Sequence, residues 1–445
     1  MSSALAGPKP LKTSPVLKIA SDLRRERQAT TPFPPGETRF SMRRTQRFAA
    51  TPLPVLLEAY AQHGPVFTLR ILHGNTIFAL GPEANHHMLV SNARNFSWRE
   101  GYMSDLFPLL GDGLLTIDGE FHRRSRQIML PAFHREQIAA STAVIHEEVG
   151  RALDPWQAGQ RLDLYEWTRE LALRIAMRAL FGLRSETAPQ AAHDFEEALG
   201  FYAKDYLLQA LRGPGSPFAR MRAARARLDV LIHGEIDRRR ATGERGTDIL
   251  SLLLDARDED GSSLSRAHVR DEVMTLLFAG HDTTTSTISF LFHELSHHPQ
   301  HATAPLDLLL DETLRLYPPA WIGPRRTIEQ CVIAGVRVPG GVPVNYCSWA
   351  SHRLPDVWEA PHVFDPGRFA PGRREQIPKG AYVPFGGGSR TCIGMRFAQA
   401  EIDVIARAIL DRWRLELEPG YRLSIRQMPT ISPRAGMPMT VRAAA

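Results

Sequence analysis

The chain has 445 residues, 43% hydrophobic and 23% charged, an ordinary globular composition with enough apolar residues to bury a large core. Its 54 basic and 48 acidic residues leave a formal net charge of only +6, which suits an acidic protein partner and argues against a nucleic-acid binder. Three cysteines without a C-x-x-C pair exclude a zinc framework and fit a reducing cytoplasm.

In chain order, the N-terminal stretch carries Lys9, Lys12, Lys18, Arg24, Arg25 and Arg27 with no apolar run near the length of a membrane span. Residues 1–39 therefore read as a flexible segment without signal peptide or membrane anchor, punctuated at its end by Pro32, Pro34 and Pro35. Phe67, Leu69 and Ile71, then Ile77 and Ala79, alternate around His73-Gly74-Asn75, which predicts a hairpin. In the segment Asp118 to Arg126, His122 and Arg126 lie one helical turn apart.

From about residue 134 to 318 the pattern is helical, as in Met221, Ala224, Leu228, Leu231 and Ile232. The arginines from Arg220 to Arg240 surround that apolar stripe, so they predict a solvated helix face. Gly213-Pro214-Gly215-Ser216-Pro217 breaks the helices. Just before it Phe201, Tyr202, Tyr206, Leu207, Leu208 and Leu211 are either core or the lining of an apolar pocket.

A long helix is predicted from about Ser265 to Ser296. Inside it runs Ala279-Gly280-His281-Asp282-Thr283-Thr284-Thr285, whose polar, mostly β-branched residues are poor choices for helix propensity and point to another use. Ala279 and Thr283 share a face there. Glu312 and Arg315 can pair at i, i+3. After Pro318, strands are predicted at Cys331 to Val338 and Val342 to Tyr346. Arg325 and Arg326 enter a strand too, and alternation lets only one of them face a given side.

The run Phe385-Gly386-Gly387-Gly388-Ser389-Arg390-Thr391-Cys392-Ile393-Gly394 delivers a cysteine on glycine-rich backbone directly before a predicted helix, 395–413. Glycine lets backbone N–H groups approach a thiolate closely, and Arg390 adds a fixed cation suited to a carboxylate. No G-K-[ST] follows the glycines and G-x-S-x-G is not matched around Ser389, which excludes a P-loop and a hydrolase elbow. Cys331 and Cys347 read as small buried hydrophobes.

The pattern F-x-x-G-x-R-x-C-x-G resembles the cysteine-ligand loop of the cytochrome P450 family, in which a thiolate holds haem iron. Ala279 to Thr285 resembles the family's oxygen-activating helix. Glu312-x-x-Arg315 with Phe364-Asp365-Pro366-Gly367-Arg368-Phe369 resembles its helix–meander pairing. The resemblance spans roughly residues 40 to 440. It implies a mainly α fold with a smaller β region, residues 40–445 forming one domain, and haem b between the oxygen-activating helix and the cysteine loop.

Carried over residue by residue, Cys392 would be the iron ligand, Asp282 and Thr283 the proton-delivering pair, and Ala279 and Gly280 the small residues against the ring. Phe385, Gly386 and Gly394 would shape the cysteine loop. His122, Arg126, Arg390 and Arg326, in preference to Arg325, would contact the propionates, and Arg368 would join Glu312 and Arg315 in a buried triad. The implied function is a haem-thiolate monooxygenase hydroxylating a fatty acid, terpene or steroid-like molecule with O2. With no flavin or iron–sulfur signature in the chain, electrons would come from a separate ferredoxin and ferredoxin reductase. A peroxygenase or isomerase, or a haem sensor without turnover, are the alternatives. One departure is the dozen residues from Pro299 to Glu312, where the family carries two further short helices: either a deletion or a skipped stretch.

Overall fold

The computed structural model describes residues 14–182, 189–204, 206–257 and 259–444. The fold is mainly α with a smaller β region. The chain gathers into two compact units, one from Pro108–Leu306 and Ile393–Ala445, the other from Lys9–Phe107 and Asp307–Cys392.

The first unit is helical. Its centre is the helix Arg266–His297, started by Ser265, whose side chain accepts from the His268 backbone N–H at 3.1 Å. Leu164–Phe181 packs along it, capped by the Asp163 carboxylate at one end and by left-handed Gly182 at the other. The helix Pro217–Thr242 starts where the glycine–proline break ends, with Ser216 capping Ala219 N–H at 3.1 Å. Met221, Ala224, Leu228 and Ile232 are buried as the period predicts, while Leu231 is exposed. The last helix is Met395–Leu410, shorter than predicted because Trp413 opens a strand, Trp413–Leu417, paired antiparallel with Pro438–Ala443.

The second unit holds a six-stranded sheet. Val66–Ile71 and Gly74–Ala79 form the predicted hairpin, and Gly323–Thr327 and Pro343–Tyr346 extend it. The turn falls one residue early, at Leu72-His73, with Leu72 at φ 53. Cys331 to Val338 is not one strand but a hairpin, Cys331–Ile333 with Val336–Val338, turned at Ala334-Gly335 where both residues have positive φ.

The reading of residues 1–39 as flexible needs correction where they are described; residues 1–13 lie outside the described set. Pro15–Gln28 is a helix and Gly36–Glu37 pairs with the sheet. Side chains tie this helix down: Arg70 bonds Glu26 at 2.8 Å, and buried Asp22 pairs with Arg326.

Glu312 and Arg315 form a fully buried bidentate pair at 2.7 Å. Arg368 Nε lies 3.4 Å from Glu312 Oε1, completing the expected triad, and Arg315 also donates to the carbonyls of His352 and Pro361. Between the long helix and Leu306–Leu316 the chain forms only the 3-10 turn Pro299–His301.

Candidate active site

In the second unit, Cys392 ends a tight loop closed by its own N–H, which donates to Phe385 O at 2.9 Å. Two of the glycines there are needed for conformation. Gly386 has φ +70, and Gly388 has φ +59 with a Cβ that would lie 2.1 Å from Leu89 O. Gly387 and Gly394 have ordinary φ values, so the freedom expected of all four rests on two.

Donor chemistry selects one cysteine for a soft metal. Cys392 is exposed; Cys347 is buried and burial pushes its thiol up to about 12, while burial also raises Cys331. A thiolate ligand to haem iron therefore fits Cys392 and neither of the others.

Arg390 lies over the Trp98 ring at 5.0 Å, and Arg325 lies over the same ring at 3.5 Å. Trp98 thus gathers two guanidinium groups, a fit for carboxylates, and no sequence pattern marked it. Arg326, the one of the pair expected to contact a propionate, has its guanidinium engaged elsewhere. Its Nε donates to Glu100 O at 2.8 Å, one terminal nitrogen donates to Gly341 O at 2.9 Å, and the other binds Asp22. Strand alternation puts Arg325 and Arg326 on opposite faces, and the arginine facing Trp98 is Arg325.

In the first unit, the long helix is buried along its middle except at Phe278, Ala279, Gly280 and Thr283. A Cβ on Gly280 would meet nothing within 4 Å, so this strip of small residues leaves open space of the kind a flat ring needs. The Thr283 hydroxyl donates to Ala279 O at 2.7 Å, and Thr285 and Thr287 make the same bond to the carbonyls four residues back. These three threonines thus bond within their own helix, whereas Thr284 reaches out of it.

Asp282 turns to the side facing Leu164–Phe181. Its Oδ1 lies 3.6 Å from Arg169 Nε and 3.2 Å from His281 Nδ1. Burial opposes ionisation of this carboxyl, but His281, Arg169 and Arg426 outweigh it and hold it below the usual carboxylate range. Arg169 in turn pairs with Glu196, on the helix Pro189–Gly200. Arg169 and Glu196 were not legible as site residues.

His122 is buried on the helix Gly119–Met129, with Arg126 one turn on and partly exposed. Phe201 and Tyr202 are buried and stack edge-on at 5.0 Å, whereas Leu208 and Leu211 are exposed. The side chains of Tyr206 and Leu207 lie outside the described residues.

A family model described as cytochrome P450 matches residues 34–304 and 305–434. The chain belongs to the cytochrome P450 family. The break in that match after residue 304 coincides with the shortened interval before Glu312. This P450 is 33% identical over 440 residues to cyclooctat-9-en-7-ol 5-monooxygenase of Streptomyces melanosporofaciens, covering 92% of this chain and 95% of that protein. It is 34% identical over 413 residues to cyclooctatin synthase of the same organism, covering 85% and 89%. Pentalenene oxygenase of Streptomyces avermitilis is 29% identical over 390 residues, covering 82% and 87%. Among solved structures, retinoic acid-bound cyanobacterial CYP120A1 matches with a TM-score of 0.83 and 27% identity, over 93% of this chain and 100% of that one. The protein is a P450 monooxygenase, an oxidoreductase that uses haem iron and acts on apolar substrates. No helix among the described residues is long and apolar enough to cross a membrane.

Proposed function

We propose that this P450 hydroxylates a terpenoid, the narrowest of the classes the sequence suggests, using O2 and electrons from a separate ferredoxin and ferredoxin reductase in the cytoplasm. Support for the substrate class comes from relatives named for cyclooctat-9-en-7-ol and pentalenene. Residues 40–445 would work as one catalytic unit with one haem b.

The observation that carries the reading is the exposed Cys392 at the end of a loop that turns on left-handed backbone at Gly386 and Gly388, with no room for a Cβ at 388. Cys392 would hold the iron as thiolate, Phe385 and Gly394 would flank it, and Arg390 and Arg325, with His122 and Arg126, would neutralise the propionates. Ala279 and Gly280 would accept the ring's flat face. When bound, the haem supplies the activation of O2 for insertion of one oxygen atom into a C–H bond.

The chain's own part is the supply of protons. Thr283 Oγ1 carries a proton now committed to Ala279 O, and Asp282 holds a carboxyl that Arg169 and His281 restrain. Handing a proton on requires Thr283 to release that carbonyl and Asp282 to loosen from Arg169. A reduced carbon-monoxide difference spectrum tests the ligand: a thiolate-type Soret band is expected, and a band typical of histidine ligation excludes the reading. Turnover of diterpene and sesquiterpene alcohols and hydrocarbons with a ferredoxin system tests the substrate class. Hydroxylation of fatty acids or steroids in preference to these terpenoids would refute it.

A further inference from the structure

His352 is fully buried in the second unit, and both of its ring nitrogens make hydrogen bonds. The partners leave one tautomer. Val383 N–H can only donate, and it meets Nε2 at 2.9 Å, so Nε2 is a bare acceptor. The Arg315 carbonyl oxygen can only accept, and it lies 3.2 Å from Nδ1, so Nδ1 carries the proton. A single neutral ring satisfies both bonds at once. Burial first, and then the Arg315 guanidinium, push this imidazole down to about 3, so the ring is neutral near pH 7 and Nε2 keeps its lone pair.

Both ends of this bridge are fixed. The His352 carbonyl receives Arg315 Nη1 at 2.9 Å, so residue 352 is tied to Arg315 through main chain and ring alike. The imidazole packs beside Tyr382 at 5.4 Å and Trp358 at 6.4 Å between centroids, and the Tyr382 hydroxyl donates to Asp311 O at 3.0 Å. At the far end, Val383 enters the turn that closes on the cysteine. Val383 O accepts from Gly386 N–H at 3.1 Å, and Phe385 O accepts from Cys392 N–H at 2.9 Å. Hydrogen bonds thus run from Arg315 through the His352 ring and the loop's main chain to the residue that carries the sulfur.

We propose that His352 is a positioning residue for the cysteine ligand: its neutral ring, by taking the Val383 N–H, fixes where the loop begins and with it the seat of Cys392 Sγ. This rests on Cys392 being the ligand to haem iron. The role needs an acceptor at the place of Nε2, and a side chain that only fills the space does not supply one. Glutamine can put its amide oxygen there. Asparagine is too short to reach Val383 but keeps a donor for the Arg315 carbonyl, so the two variants separate the bond to the loop from the bond to the helix.

The direct test is hydrogen–deuterium exchange of the holoenzyme, read by mass spectrometry on a peptide spanning residues 378–392. In His352→Asn one amide of that peptide should exchange on the order of tenfold faster, as expected when one hydrogen bond is lost. His352→Gln should match wild type. Equal exchange in wild type and His352→Asn overturns the proposal, and so does equal loosening in both variants, which would mean that only the packing of the ring matters.

The second readout is the iron itself, at temperatures where circular dichroism shows every variant folded. A thiolate held less firmly gives less charge to ferric iron, so the reduction potential should shift upward in His352→Asn and stay in place in His352→Gln. A loss of stability alone would not move it, and an unchanged potential in His352→Asn overturns the positioning role. The two claims fail separately. A wild type without a thiolate-type carbon-monoxide band removes Cys392 as ligand and this inference with it. A wild type with that band, matched by His352→Asn in exchange and in potential, removes His352 alone.

Discussion

The Thr284 hydroxyl donates a 3.2 Å hydrogen bond to Glu401 Oε2, joining the long helix to the helix that follows the cysteine loop through two buried side chains. Glu401 stands nine residues after Cys392 and amid Ile402, Ile405, Ala406 and Ile409, where an acid is out of pattern. Burial raises its carboxyl from 4.5 to about 8, and the bond from Thr284 offsets this only in part.

Glu401 is therefore protonated in the folded protein at pH 6 but ionised in the unfolded chain. A raised folded-state value means its contribution is fully present below about pH 4.5 and is lost as pH rises through about 8. Across that window the native state binds more protons than the unfolded one, so this group lowers stability by at most about 1.4 kcal/mol per pH unit. Glu401→Gln should remove that slope. Urea unfolding of both proteins at pH 6 and 8 checks it: the variant should gain on wild type at pH 8, and parallel behaviour would refute the assignment.

Cys392→Ser should abolish the thiolate-type carbon-monoxide band. Cys347→Ser should keep it, because serine can replace the cap that Cys347 Sγ makes to Ala350 N–H at 3.4 Å. Loss of the band in both variants, with both folded by circular dichroism, would mean that burial does not discriminate between the cysteines.

Arg325 and Arg326 should fail differently. Arg325→Ala and Arg390→Ala should speed haem loss to an apoglobin acceptor while leaving the fold intact. Arg326→Ala leaves buried Asp22 with His73 at 3.2 Å and Tyr102 at 3.4 Å and should cost stability, though less than the cost of about 3–5 kcal/mol for a fully stranded buried charge. Faster haem loss in Arg326→Ala at temperatures where it is fully folded would restore Arg326 to the site.

Thr283→Ala removes a hydroxyl that, among the described residues, bonds only to its own helix, at 2.7 Å from Ala279 O, so stability should change by no more than about 1 kcal/mol. Coupling should suffer instead, with reducing equivalents lost to peroxide. Unchanged product per electron would remove Thr283 from proton delivery.

Local chemistry carried the cysteine loop, the long helix with its Ser265 cap, and the Glu312–Arg315 pair into the sequence, because each is set by residues within a turn or two of one another. The N-terminal helix was not legible, since Pro15–Gln28 is mostly polar and draws its anchorage from Arg70 and Arg326, far along the chain. The same reason hid Trp98, Arg169 and Glu196.

By itself the sequence determined which cysteine stands on glycine backbone and which acid–threonine pair interrupts an apolar helix. Only the tertiary structure decided which of two neighbouring arginines meets Trp98, and which cation and imidazole hold Asp282. Spacing fixes the direction of a side chain along its own element, whereas its partner depends on which distant element the fold brings to that face.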